Sequence, residues 1–248
     1  MFGRRRSSKK KHKDDGAVLD SLAETDEVVE QEVTTGPYDV ADAPEEDEGR
    51  KIDLGAIRLP VPKGVGFQAQ TDAQGNVGQV VLSVGKSAVQ VMLRAAPRTE
   101  GIWGEVQEDI RREIGAKGGK FDTADGEWGR ELIARVPAKQ GTSVVRFVGV
   151  DGPRWLLTGT FQGEVAADPS KAPELSEAFG RIVVDRGNLA MPVKEPVPLK
   201  LPAKMAEAAA QQIAERKAKG GEPDRAVVAG GDTQTPKVRR KPSPKPRG

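Results

Sequence analysis

The chain reads as an α+β domain: a mostly antiparallel sheet of about six or seven strands with two packed helices, flanked by disordered tails. Three observations predict this. Large apolar side chains are dense from Ile52 to Pro198 and sparse outside that span. Within it, period-two segments run as neighbouring hairpins rather than each being followed by a crossover helix. Only two segments there carry the helical period. The expected organisation is a disordered stretch 1–50, first basic and then acidic, and a single domain 51–202 ending in a Pro-rich arm. An isolated helix at 203–219 and a disordered basic tail at 220–248 would follow.

The elements justify themselves in order. Ile57-Arg58-Leu59-Pro60-Val61-Pro62 is extended, and its prolines confine it to an edge. Val65–Gln70 is a short strand, and Asp72–Asn76 turns the chain. Val80, Leu82 and Val84 alternate with Gln79, Val81 and Ser83. After Gly85-Lys86-Ser87, Val89, Val91 and Leu93 alternate with Gln90, Met92 and Arg94. This pair is the strongest hairpin signal in the chain. Trp103, Val106, Ile110 and Ile114 then form one face of a helix that starts near Thr99-Glu100 and stops at Gly118-Gly119. Trp128–Val136, Thr142–Val150 and Trp155–Phe161 are three further strands, the last two joined through Asp151-Gly152-Pro153. The second helix runs from Ser170 or Pro173 to Val183, with Asp168-Pro169 as its cap and Leu175, Ala178, Phe179, Ile182 and Val183 as its stripe. From Asp185-Arg186-Gly187 to Pro202 the chain is a proline-rich arm. Ala203–Lys219 has helical composition but a thin stripe, Met205, Ala209 and Ile213, and such a helix is marginal alone.

The net charge of +2 conceals segregation. Residues 1–13 hold seven Arg or Lys and no acid, whereas 14–48 hold fourteen acids and no Arg or Lys. Residues 199–248 hold twelve basic side chains against five acids, which leaves 49–198 nearly neutral. Such blocks repel themselves and mark interaction tails. There is no cysteine, in keeping with a cytoplasmic protein. The basic start, Met1 to Lys13, is followed by acids and not by an apolar stretch, so it is no secretion signal, and no apolar run suits a membrane span.

Chemistry is bounded more firmly than fold. The sole histidine is His12, so the core can hold neither a Ser-His-Asp nor a Cys-His arrangement, nor a Cys/His zinc site. Gly85-Lys86-Ser87 follows a strand as a phosphate loop would, but Val80 stands where that motif needs glycine. Gly115–Lys120 ends a helix where the motif should begin one. No cofactor and no metal are expected. Asp122, Asp125, Glu127 and Asp185, in or beside loops, are the available acid/base groups. Trp103, Trp128 and Trp155 read first as core anchors and second as aromatic walls of a groove with Arg130 and Arg154 at its mouth. Arg4, Arg5, Arg6, Arg239, Arg240 and Lys241 are candidate phosphate contacts, which would bind nucleic acid without sequence preference.

Three motifs carry a resemblance: Pro97-Arg98-Thr99-Glu100-Gly101-Ile102-Trp103, Asp151-Gly152-Pro153-Arg154-Trp155-Leu156-Leu157, and Val184-Asp185-Arg186-Gly187 leading to Pro198-Leu199-Lys200-Leu201-Pro202. They resemble an actinobacterial family of unknown function, number 3710 in the domain-of-unknown-function series, over most of 50–202. The resemblance names no catalytic residue. It implies a link to nucleic-acid metabolism, since members are often encoded near a dUTPase and a small OB-fold protein. The order of elements is also similar to a Mog1/PsbP-like sandwich, a type that serves binding more than catalysis. The expectation is a non-catalytic binding module with an unknown protein partner and charged tails. The alternative is a hydrolase-type enzyme using loop carboxylates.

Overall fold

The computed structural model describes residues 36–44, 49–71, 76–138, 141–207, 211 and 226–229. Its frame is one long antiparallel sheet. Three short strands precede it: β1 (Tyr38–Asp39), β2 (Lys51–Asp53) and β3 (Ile57–Pro60). Then come β4 (Gly66–Thr71), β5 (Val77–Val84) and β6 (Ser87–Ala95), helix α1 (Trp103–Ala116), and β7 (Lys120–Gly126), β8 (Gly129–Ala138), β9 (Gly141–Gly152) and β10 (Trp155–Gln162). After the short helix α2 (Glu164–Ala167) and a 3-10 turn at Pro169–Lys171 come α3 (Pro173–Gly180), β11 (Val183–Val184) and β12 (Ala226–Ala229). The large sheet has eight strands in the order β12-β4-β5-β6-β10-β9-β8-β7, and β1-β11-β3-β2 form a second, four-stranded sheet.

The period-two pattern decides the layers. In β6, Val89, Val91 and Leu93 are fully buried, and so is Phe161 in β10, beside Val89 in the register. These positions share a core with Leu175, Ala178 and Phe179 of α3, with Ile57 and Leu59 of β3 and with Val184 of β11. The alternate positions face the other way, as strand geometry requires. There Leu156 joins Ile102, Trp103 and Val106 in a smaller cluster beneath α1. The large sheet is thus clothed on one face by α3 and the small sheet, and on part of the other by α1.

Several boundaries differ from expectation for local physical reasons. The second helix stops at Gly180, and Val183–Val184 leave it to pair with β1 and β3, so the expected stripe is divided, buried up to Ile182 and half-buried at Val183. Asp168 caps the 3-10 turn by accepting from Ser170 N at 3.0 Å, one element before the helix it was expected to cap. Lys120–Gly126, expected as loop, is the edge strand β7, and its exposed charges suit an unpaired edge. Residues 36–44, within the stretch 1–50 expected to be disordered, are built into the fold. The Trp155 indole N–H donates to Asp39 Oδ2 at 2.7 Å, and Tyr38 pairs with Val183. Ala226–Ala229, within the stretch 220–248 expected to be disordered, pair with Gln68–Thr71 as β12. Of the helix expected at 203–219, residues 203–207 and 211 are helical, and the rest lies outside the described residues. The Pro-rich arm is extended as expected and stitched to the sheet: Ala95 N donates to Glu195 O, Val197 N to Leu93 O and Leu199 N to Val77 O, each at 2.9 Å.

Among the described residues no helix is long and apolar enough to cross a membrane, and no cluster of acids and His could hold a metal.

Candidate functional site

The strands β6, β10 and β9 extend beyond the cover of α1, and a groove of about 500 Å³ opens between them and the helix. That volume is in the range of ligand clefts. Met92, Thr158, Thr160 and Phe147 form the floor, and Trp103, Val106 and Ile110 of α1 form the wall. In register, Thr160 lies between Gln90 and Phe147, and Thr158 between Met92 and Gly149. The helix stripe that buries α1 therefore also builds the wall. Arg94 lies toward the start of the helix and Glu113 in its last turn, about 10 Å of helical rise beyond Val106.

Side-chain amides organise the open side of the floor. Gln90 Nε2 donates to Gln79 Oε1, and Gln79 Nε2 donates to Gln70 Oε1, so a chain of amides crosses β6, β5 and β4. Gln79 is only 7% exposed, which makes its two partners necessary. Thr158 Oγ1 donates to Met92 O at 3.2 Å. Burial drives the Arg94 guanidinium below its usual range, against the opposing pull of Asp109 and Glu195. Its Nη1 donates to Lys194 O at 3.1 Å.

The wall is held from three sides. Asp151, in the β9–β10 hairpin, accepts from Ile102 N at 2.8 Å and Trp103 N at 3.2 Å, and so caps α1 in place of any local side chain. A Cβ on Gly101 would collide with the Asp151 carboxylate, so glycine is required there. Trp103 Nε1 and Gln107 Nε2 donate to Arg130 O at 2.8 and 3.0 Å, tying the helix to β8. Lys194 of the arm reaches Glu105 and Asp109, each at 3.0 Å, and those contacts raise its own pKa.

The residues singled out in the sequence are dispersed by this arrangement. Trp103 lines the groove. Trp155, 1% exposed, lies in the core on the opposite face of the sheet. Trp128 sits there too, stacked on Phe161 and edge-on to Phe179. The three indoles are not brought into one groove, because Trp103 belongs to α1 on one face of the sheet whereas Trp155 and Trp128 pack with the core on the other. Arg130 contributes its carbonyl to the helix tie. Arg154, at φ 65° in the β9–β10 turn, donates from Nη2 to Gly187 O and to Asn188 Oδ1. Asp122 lies on β7 in an ion pair with Arg135, Asp125 and Glu127 are exposed at the same hairpin, and Asp185 follows β11 with its N–H on Ala56 O. None of these four acids lines the groove. Arg4, Arg5, Arg6, Arg239, Arg240 and Lys241 lie outside the described residues. Sequence reasoning passed over Gln90, Met92, Thr158 and Thr160 as the outward half of an alternation. The available signal was their lack of charge, which is unusual for a solvated sheet face.

The three resemblance motifs meet in these locks. The first and second join through Gly101 and Asp151, and the second and third through Arg154 and Gly187. A family model described as "Protein of unknown function (DUF3710)" matches residues 36–208. No curated protein matches the chain. Among solved structures, the solution structure of cyanobacterial PsbP (CyanoP) from Synechocystis sp. PCC 6803 is similar with a TM-score of 0.38 and 12% identity, covering 55% of this chain and 92% of that one.

Proposed function

The chain belongs to the family of proteins of unknown function DUF3710, which assigns it no reaction, and we propose from the groove itself that the folded unit is a non-catalytic binding module. The carrying observation is the lining. It combines an apolar wall with amide and hydroxyl groups on the floor, and Glu113 is the only carboxylate among its described lining residues. General acid/base hydrolysis calls for two acids in different environments. A groove that is long, uncharged along its middle and oppositely charged at its ends suits a short extended peptide segment with few charges. The amides of Gln90 and Gln162 would meet its main chain, and Met92 and Phe147 its side chains. A cytoplasmic location and an actinobacterial source belong to the same reading, on the absence of cysteine and on the motifs.

Methionine methyl groups offer a direct test, because the chain has four methionines and Met92 lies in the groove floor. Pools of uncharged hexapeptides titrated into the full chain should shift the Met92 methyl resonance saturably. Thr160→Trp, which fills the floor, should abolish the shift while the protein stays folded. If peptides that bind leave Met92 unmoved, or bind the filled variant equally, the groove is not the site.

The segregated charge favours a second, separate reading, in which the basic blocks at 1–13 and 237–248 contact nucleic acid phosphates without sequence preference. The near-neutral segment between the tails would add little to such binding.

A further inference from the structure

The core face of the large sheet holds a buried ion pair that the groove does not use. Arg146 on β9 is 6% exposed and Glu131 on β8 is 3% exposed. Arg146 Nη1 donates to Glu131 Oε1 at 3.5 Å and Oε2 at 3.3 Å. Both contacts are longer than a charge-assisted hydrogen bond between well-placed partners. The guanidinium lies over the Phe161 ring, with Cζ 4.3 Å from the centroid. Its Nε and Nη2 have no acceptor among the described residues. Trp128 stacks on the same Phe161, at 6.4 Å between centroids and 10° between planes, and its buried indole N–H has no acceptor there either.

Three N–H donors without an acceptor among the described residues therefore lie beside one phenyl ring, and a buried donor left unpaired carries its full desolvation cost. Arg94, Arg111 and Arg186 also have an Nε without an acceptor among the described residues, but none of them is as deeply buried. Arg146 differs in kind as well. The pair left open is Nε with Nη2, the side-on edge whose two N–H bonds point in parallel and match two oxygens of one carboxylate or phosphate group. Trp128 is half-buried in the Gly126–Gly129 turn of the β7–β8 hairpin, against Gly180 at the end of α3. Its indole is a cover at the margin of solvent.

We propose that the Nε–Nη2 edge of Arg146, together with the Trp128 indole N–H, is a binding site for a small oxyanion that enters past Trp128. Glu131 already holds Nη1, so it orients the guanidinium and leaves the fork for the ligand. The site is on the opposite face of the sheet from the groove and stands independently of it.

Side-chain resonances test this on the full chain. The Arg Nε–H and Trp Nε1–H signals are followed by nitrogen-15 NMR while acetate or phosphate replaces chloride at constant ionic strength. The Arg146 and Trp128 signals should move together and saturate with acetate, with phosphate or with both, and the responding anion identifies the class. Trp128→Phe keeps the stacking and loses one donor, so it should raise the half-saturating concentration several-fold. Arg146→Lys keeps the charge and loses the fork, so the Trp128 shift should vanish. The proposal is overturned if the Arg146 Nε–H signal is unmoved by either anion. It also falls if that proton shows a persistent cross-peak to a trapped water that neither anion displaces, or if Arg146→Lys leaves the Trp128 shift intact.

Discussion

Asp151 serves two peptide N–H groups at the start of α1 from a hairpin nearly fifty residues away in sequence, a lock that one methyl group on Gly101 would break. Asp151→Ala should lower unfolding stability by about 1–2 kcal/mol, with Asn retaining part of the loss, as measured by urea denaturation. Glu131 makes a different kind of prediction. Burial pushes its carboxyl above the ordinary value of 4.5, Arg146 pulls it partly back, and Glu127 adds to the rise. The folded protein therefore keeps this proton to a higher pH than the unfolded chain does. Its contribution to stability is fully present below the ordinary value and is lost as pH rises through the raised one. The stability of wild type relative to Glu131→Gln should accordingly fall as pH is raised from about 4 toward neutrality. A difference that grows with pH would mean that the Arg146 pair outweighs burial.

At the level of elements, the same alternation that reveals a strand also hides what its outward half does. The β5–β6 hairpin, the helical face Trp103–Ile114 and the β9–β10 turn are legible, because each is announced by periodicity and by Gly or Pro at its ends. β7 is not legible. Its Lys120, Asp122 and Asp125 look like loop charge, and only the register with β8 makes them an edge. β12 is equally obscure, since four small residues become a strand only beside the open edge of β4. Deleting 220–248 should speed amide exchange at Gln68–Thr71 and leave β6 and β10 protected, with a stability change on the order of 1 kcal/mol. Unchanged exchange at those four residues would remove β12 from the sheet. Lys194→Met should cut the tie between arm and α1. The expected effect is a small drop in Tm that disappears at high salt, because the contacts with Glu105 and Asp109 are largely exposed.

Across the whole molecule, charge is sorted by position along the chain. If each basic block neutralises most of its charge on duplex DNA, log affinity should fall against log salt with a slope of about −4 to −6 per tail. Removing 237–248 should weaken binding equally for all sequences. Removing 14–35 should strengthen it, since those acids compete with phosphate for the same side chains. That deletion spares Asp39, which the Trp155 indole needs. A salt titration of the full chain, of the 14–35 deletion and of deletions of 1–13 and 237–248, singly and together, on one duplex checks all three outcomes. Salt-insensitive binding that survives loss of both basic blocks would place the contact on the folded unit.

The sequence by itself determined the class of this protein, the hairpins and helix faces that make its core, and the absence of cysteine and of any core histidine. These follow from residue type and near-neighbour spacing, which need no knowledge of distant contacts. Only the tertiary structure decided which acid of a charged run is structural and which alternate face is open. Asp39 is one carboxylate among fourteen until Trp155 is set beside it, and Gln90 and Thr160 are unremarkable until β6 and β10 lie together under the edge of α1. The tryptophans show the same limit. Trp103 and Trp155 read first as core anchors and second as one aromatic wall, and the structure sets them on opposite faces of the sheet. Partnership across a sheet depends on register, and register is fixed by packing of the whole buried face rather than by any local run of residues.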